Sequence, residues 1–142
     1  MGQGSFQRIE KTDERMYGPR KLLACGYRAN EQDDFLNFLK QNGFSDLPVI
    51  FVYDDLKDMT LEELMEKPNG TGVGENSGLK RAAILSGFTH EEIHRILSRY
   101  REAGFPRQLW ATLTPVSKDW KISSLLKELE KEAEEVKRQG SR

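Results

Sequence analysis

The 142-residue chain is short of the residues that mark several functional classes. It has one cysteine, Cys25, which excludes an intramolecular disulfide and suits a reducing compartment. Its formal net charge is −1, from 22 basic and 23 acidic residues, so no global field draws it to nucleic acid or to an anionic bilayer. Long hydrophobic runs are missing too. The apolar stretches at 49–53 and 82–85 are far too short to span a membrane. No secretory leader is recognised, and the expected location is the cytoplasm or an organelle such as the plastid stroma, with no membrane partner and no secretion.

What is present is 37% hydrophobic and 32% charged residues, the balance of a globular protein with a heavily charged exterior. The length fits one domain or two small halves sharing a core. Two halves are suggested by an internal likeness. Residues 20–66 lie over residues 81–127 without a gap, at a constant offset of 61. Gly26 falls on Gly87, Glu31 on Glu92, Leu36 on Leu97, Gly43-Phe44 on Gly104-Phe105 and Lys57-Asp58 on Lys118-Asp119. Leu23/Ile84 and Tyr27/Phe88 change the residue and keep the bulk. The matches sit at element ends and at apolar positions inside elements, where geometry constrains the residue.

Each half reads as strand, helix, strand, helix. Lys21–Cys25 and Ala82–Ser86 are apolar runs closed by a glycine, as buried strands are. The first long helix is expected from about Glu31 to Gln41, capped by Asn30 and stopped by Gly43. Its counterpart is expected from His90 to Glu102, with Thr89 and Glu92 forming a capping box and Ile93, Ile96, Leu97 and Tyr100 its buried stripe. Pro48–Asp54 and Gln108–Thr114 supply the other strands, and Thr60 with Glu63 caps a short helix. The last helix is expected from near Asp119 and is about two turns longer than its counterpart, so its end projects past the core or meets a partner. Trp110 aligns with Val49 and Trp120 with Met59, so both tryptophans are expected in the core.

The predicted fold is α/β (or α+β): two β-α-β-α repeats forming one four-stranded mixed sheet covered by helices, about a pseudo-twofold. The expected divisions are a flexible arm at 1–19, repeat one at 20–67, a glycine-rich linker at 68–79, repeat two at 80–138 and a frayed tail at 139–142.

Gly87, Thr114, Pro115, Trp120, Leu125, Leu126 and Leu129 give the second repeat a likeness to a known pattern: a glycine-ended strand, an amphipathic helix, a threonine-proline strand end, then a tryptophan and a leucine-rich helix. In these residues the chain resembles a small bacterial and plastid-type family known only as a domain of unknown function. The first repeat matches less well, with Asp54 in place of Pro115 and Met59 in place of Trp120. The resemblance implies the fold and brings no catalytic residues.

Candidate chemistry is sparse. His90-Glu91-Glu92-Ile93-His94 satisfies the spacing of a zinc-binding helix. Against that reading, His90 opens its helix, Glu92 is taken up by capping, and the equivalent positions in repeat one are Ala29 and Asp33. His90 and His94 are therefore kept only as metal candidates, and no catalytic or cofactor-binding residue and no cofactor is assigned. Gly70, Gly72, Gly74 and Gly78 lack the strand-to-helix setting of a phosphate loop. Asp54, Asp55 and Asp58 cluster after a strand but also suit turns and caps. Cys25 lies inside an apolar strand, as a small core residue does. Arg95, Arg99, Arg101, Arg107 and Lys118 make repeat two locally basic, diluted by Glu91, Glu92 and Glu102.

The expectation is a non-catalytic interaction, assembly or regulatory module that binds a protein partner, with the long last helix and the N-terminal arm as partner surfaces. The alternatives are a small-ligand- or metal-dependent enzyme using His90 and His94, and weak RNA binding through the basic face of repeat two.

Overall fold

The computed structural model describes residues 14–140. Two parallel pairs of strands meet back to back. Strand β1 (Lys21–Cys25) runs parallel to β2 (Val49–Val52), and β3 (Ala82–Ser86) runs parallel to β4 (Leu109–Thr112). β1 and β3 are antiparallel neighbours at the centre, giving one mixed sheet of order β2-β1-β3-β4. Each parallel pair is joined by a helix of thirteen residues, α1 (Ala29–Gln41) or α3 (His90–Glu102). Each unit then ends in a further helix, the short α2 (Leu61–Met65) or the long α4 (Ile122–Gly140).

Alternation along the strands sends successive side chains to opposite faces, and both faces are covered. Leu22, Ala24, Val49, Phe51, Ala83 and Leu85 pack under α1 and α3. Leu23, Cys25, Ile50, Val52, Ala82 and Ile84 pack under α2 and α4. Burial on both sides is why the strands read as continuous apolar runs rather than alternating ones.

Several relations run at the offset of the sequence likeness. Leu23 pairs with Ile84 at the middle of the antiparallel joint. Leu61 N–H donates to Trp120 O at 3.0 Å, and Ile122 N–H donates to Met59 O at 2.9 Å. Arg20 pairs with Glu92 at 2.7 Å and lies over the Phe88 ring, while Arg81 pairs with Glu31 at 3.2 Å and lies over the Tyr27 ring.

Some expectations need correction. α1 starts at Ala29, not near Glu31, because Ala29 N–H is capped by Asn76 Oδ1 at 2.8 Å and Arg28 N–H by Glu31 at 2.8 Å. Asn30 is inside the helix. Trp120 is exposed (38%) and not a core residue. Its main chain carries the bond to Leu61, and Ile122, two residues on, takes the buried position. Trp110 is half-buried against Tyr100, ring centroids 5.2 Å apart. α4 begins at Ile122 after a single turn at Ser117–Asp119. The thirteen residues before Glu14, most of the expected arm, lie outside the described residues, as do Ser141 and Arg142 of the expected tail. Within that arm, Met16 N–H donates to Phe88 O at 2.8 Å and Gly87 N–H to Tyr17 O at 3.2 Å.

Candidate functional site

The two edges of the sheet are treated differently. In a parallel pair, alternate residues of an edge strand turn their main-chain groups away from the neighbour. On β2 these are Val49 and Phe51, and the segment expected as a linker covers them. Val49 N–H donates to Asn69 Oδ1 at 2.8 Å, Gly70 N–H to Val49 O at 3.1 Å, and Phe51 N–H to Thr71 O at 2.9 Å. Gly72 then turns at φ 83°, where a Cβ would stand 1.9 Å from Phe51 O, so only glycine lets the strap lie this close. The buried Gln32 side chain of α1 clamps it, donating to Gly72 O and Glu75 O and accepting from Gly74 N–H.

β4 has no such strap. Leu109 N–H donates inward to Arg81 O at 3.0 Å and Leu113 N–H to Leu85 O at 2.9 Å, which leaves Trp110 and Thr112 turned outward. Among the described residues, nothing bonds the outward N–H or C=O of either. Where α1 offers Gln32, α3 offers the apolar Ile93.

Grooves flank this open edge on both sheet faces. One, of about 470 Å³, lies between β4 and α3 and is lined by Leu97, Tyr100, Phe105 and Trp110. The other, of about 360 Å³, lies between β4 and α4 and is lined by Leu109, Leu129, Ala133 and Val136. Val136 is 68% exposed, a large apolar side chain of α4 with little packed against it. Arg101 and Arg107 are exposed at the rim and without an ion-pair partner among the described residues. An open strand edge between two apolar grooves is what an added strand requires: main-chain bonds along its length and pockets for alternate side chains.

The residues singled out in the sequence are not brought together here. His90 and His94 are exposed in the first turns of α3, Glu91 pairs with Arg95 at 3.3 Å, and Glu92 is held by Thr89 and Arg20. Among the described residues, no three His, Cys, Asp or Glu side chains gather as a metal site would need. Asp54 accepts from Gly78 N–H at 2.8 Å, while Asp55 and Asp58 are exposed. Cys25 is buried, which pushes its thiol up to about 12. Of the basic residues expected to form a patch, Arg95 lies over Phe44, Arg99 pairs with Glu102, and Lys118 pairs with Asp119 and Glu62.

The open edge itself escapes a residue-by-residue search, because it consists of main-chain groups. No side-chain motif marks it; beside it, α4 has nineteen residues against the five of α2 and is about four turns longer than its counterpart, not the two expected.

Residues 81–136 match a family described as a domain of unknown function (DUF3783). The match takes in β3, α3, β4 and most of α4, which is one strand–helix–strand–helix unit with the open edge inside it. No curated protein and no solved structure matches the chain. No helix among the described residues is long and apolar enough to cross a membrane.

Proposed function

We propose that this protein is a non-catalytic binding module whose β4 edge receives an extended segment of a partner protein as a fifth strand. The single observation that carries the reading is the contrast between the edges: Val49 and Phe51 are bonded by the chain's own strap, whereas Trp110 and Thr112 are bonded by nothing described. The partner segment would place apolar residues in the two grooves and acidic residues against Arg101 and Arg107. The chain is further proposed to be a duplicated β-α-β-α unit joined about a local twofold at Leu23 and Ile84, acting inside the cell, where its one buried thiol stays reduced. No specific feature favours the metal-dependent or RNA-binding alternatives.

The test is selection of random twelve-residue peptides on the immobilised protein, followed by affinity measurement on Thr112→Pro. Proline removes the outward N–H and leaves the inward bonds of Leu109 and Leu113 in place. Selected peptides should alternate apolar and polar residues, carry acidic side chains and bind the variant at least tenfold more weakly. Equal binding to the folded variant would overturn the edge as the site.

A further inference from the structure

The two ends of the sheet are lined by equivalent positions but not by equivalent chemistry. At one end Arg20 lies 5.4 Å from the Phe88 ring centroid, and Phe88, Leu47 and Leu39 are buried apolar groups. At the other end Arg81 lies 3.9 Å from the Tyr27 ring centroid, and the positions 61 residues from Leu39 and Leu47 are Tyr100 and Gln108, both buried. Phenylalanine and leucine satisfy the packing at the first end, so the hydroxyls and the amide at the second are not required by the fold.

Most of these polar atoms are engaged. Tyr27 O–H donates to Gln108 Oε1 at 3.0 Å, Arg81 Nε donates to Tyr100 Oη at 3.3 Å, and Tyr100 O–H donates to Pro106 O. Gln108 Nε2 is buried without a partner, on a side chain only 8% exposed. A buried donor left unmade is destabilising and uncommon. With Oε1 tied to Tyr27, the amide nitrogen is the end of the side chain still without a partner, and Gln108 itself lines a cleft. This cleft, of about 520 Å³, also presents the apolar Leu79 and Leu109, the cations Lys80, Arg81, Arg107 and Lys137, and the carboxylates of Glu130 and Glu134, so its basic groups outnumber its acidic ones. Its size suits a small molecule. Lys80 is held by Glu130 at 3.2 Å, whereas Arg107 has no partner among the described residues. The two groups left unspent, an amide N–H and a guanidinium, are both donors.

We infer that this cleft binds a small organic anion, with carboxylate or phosphate oxygens accepting from Gln108 Nε2 and Arg107. Leu79 and Leu109 pack against its carbon skeleton. The inference shares Arg107 and Leu109 with the partner-strand reading, but Gln108 belongs to it alone, and the Thr112→Pro test of that reading alters none of these side chains.

Calorimetric titration of the full chain with inorganic phosphate, succinate and adenosine monophosphate tests it. At least one probe should bind saturably, and which ones do so distinguishes phosphate from carboxylate. The double variant Tyr27→Phe/Gln108→Leu copies the Phe88/Leu47 end, so it should fold and bind at least tenfold more weakly. Arg107→Gln, at an exposed position, should also weaken binding at least fivefold and keeps the test decisive if the double variant does not fold. The inference is overturned if none of the three probes binds, or if either folded variant binds within twofold of the parent.

Discussion

Leu23 and Ile84 face each other across the antiparallel joint of β1 and β3, both fully buried under α2 and α4. Every other strand pairing in the sheet is parallel, so this joint alone holds the two units together as one sheet. Truncating either residue to alanine should cost about 2–5 kcal/mol. Because the pair is in contact, the double variant should differ from the sum of the two single losses. Urea unfolding of the four proteins checks both statements; a strictly additive cycle would argue against a shared core at the joint.

Two glycines let the units approach. Gly26 at φ 82° would put a Cβ 2.6 Å from Leu79 O, and Gly87 at φ 71° would put one 2.8 Å from Gly18 O. Gly70, at φ 91°, faces open space. Gly70→Ala should cost about 1–2 kcal/mol for its backbone alone, and Gly26→Ala or Gly87→Ala about 3–4 kcal/mol because a clash is added. Thermal or urea midpoints rank the three. Equal losses would show that the close approach contributes nothing.

Glu92 ties the segment before β1 to α3. Burial opposes its charge, but hydrogen bonds from Arg20 and Thr89 and the charges of Arg20 and Arg15 outweigh it, so its carboxyl is held below the ordinary 4.5. A lowered folded value means that its contribution is present above about pH 4.5 and is lost as pH falls through the lower folded value. Glu92→Gln should cost about 1 kcal/mol at pH 7, allowing for solvent screening, and progressively less as pH falls through the lowered folded value. A loss independent of pH would show that the charge of Glu92 is not what the substitution removes.

Cys25 should behave as a core group. With its thiol pushed up to about 12 by burial, alkylation by iodoacetamide at pH 8 should proceed only through opening of the sheet. It should accelerate by orders of magnitude in denaturant. Rapid stoichiometric labelling of the native protein would contradict the burial.

The sequence made much of this fold legible, and for a physical reason. Gly26, Gly43, Gly87 and Gly104 all take positive φ, and a position that only glycine occupies comfortably shows in the letters. The capping boxes at Thr60–Glu63 and Thr89–Glu92 are equally visible, being side-chain chemistry over three residues. Trp120 misled because alignment with an apolar position does not fix which way a side chain turns at the entry to a helix. The strap at Asn69–Gly72 reads as a flexible linker because its bonds to β2 are mostly main-chain and come from a segment that is distant in sequence. The open β4 edge is hidden for the same reason.

Residue-resolved amide hydrogen exchange tests the open β4 edge most directly. In the free protein, Val49 and Phe51 should be protected by the strap, and Ala111 and Leu113 by β3, while Trp110 and Thr112 exchange at rates near those of an open chain. Saturation with a selected peptide should bring Trp110 and Thr112 into the slow class. Protection of these two amides in the free protein equal to that of Val49 and Phe51, or no gain on peptide binding, would contradict the account.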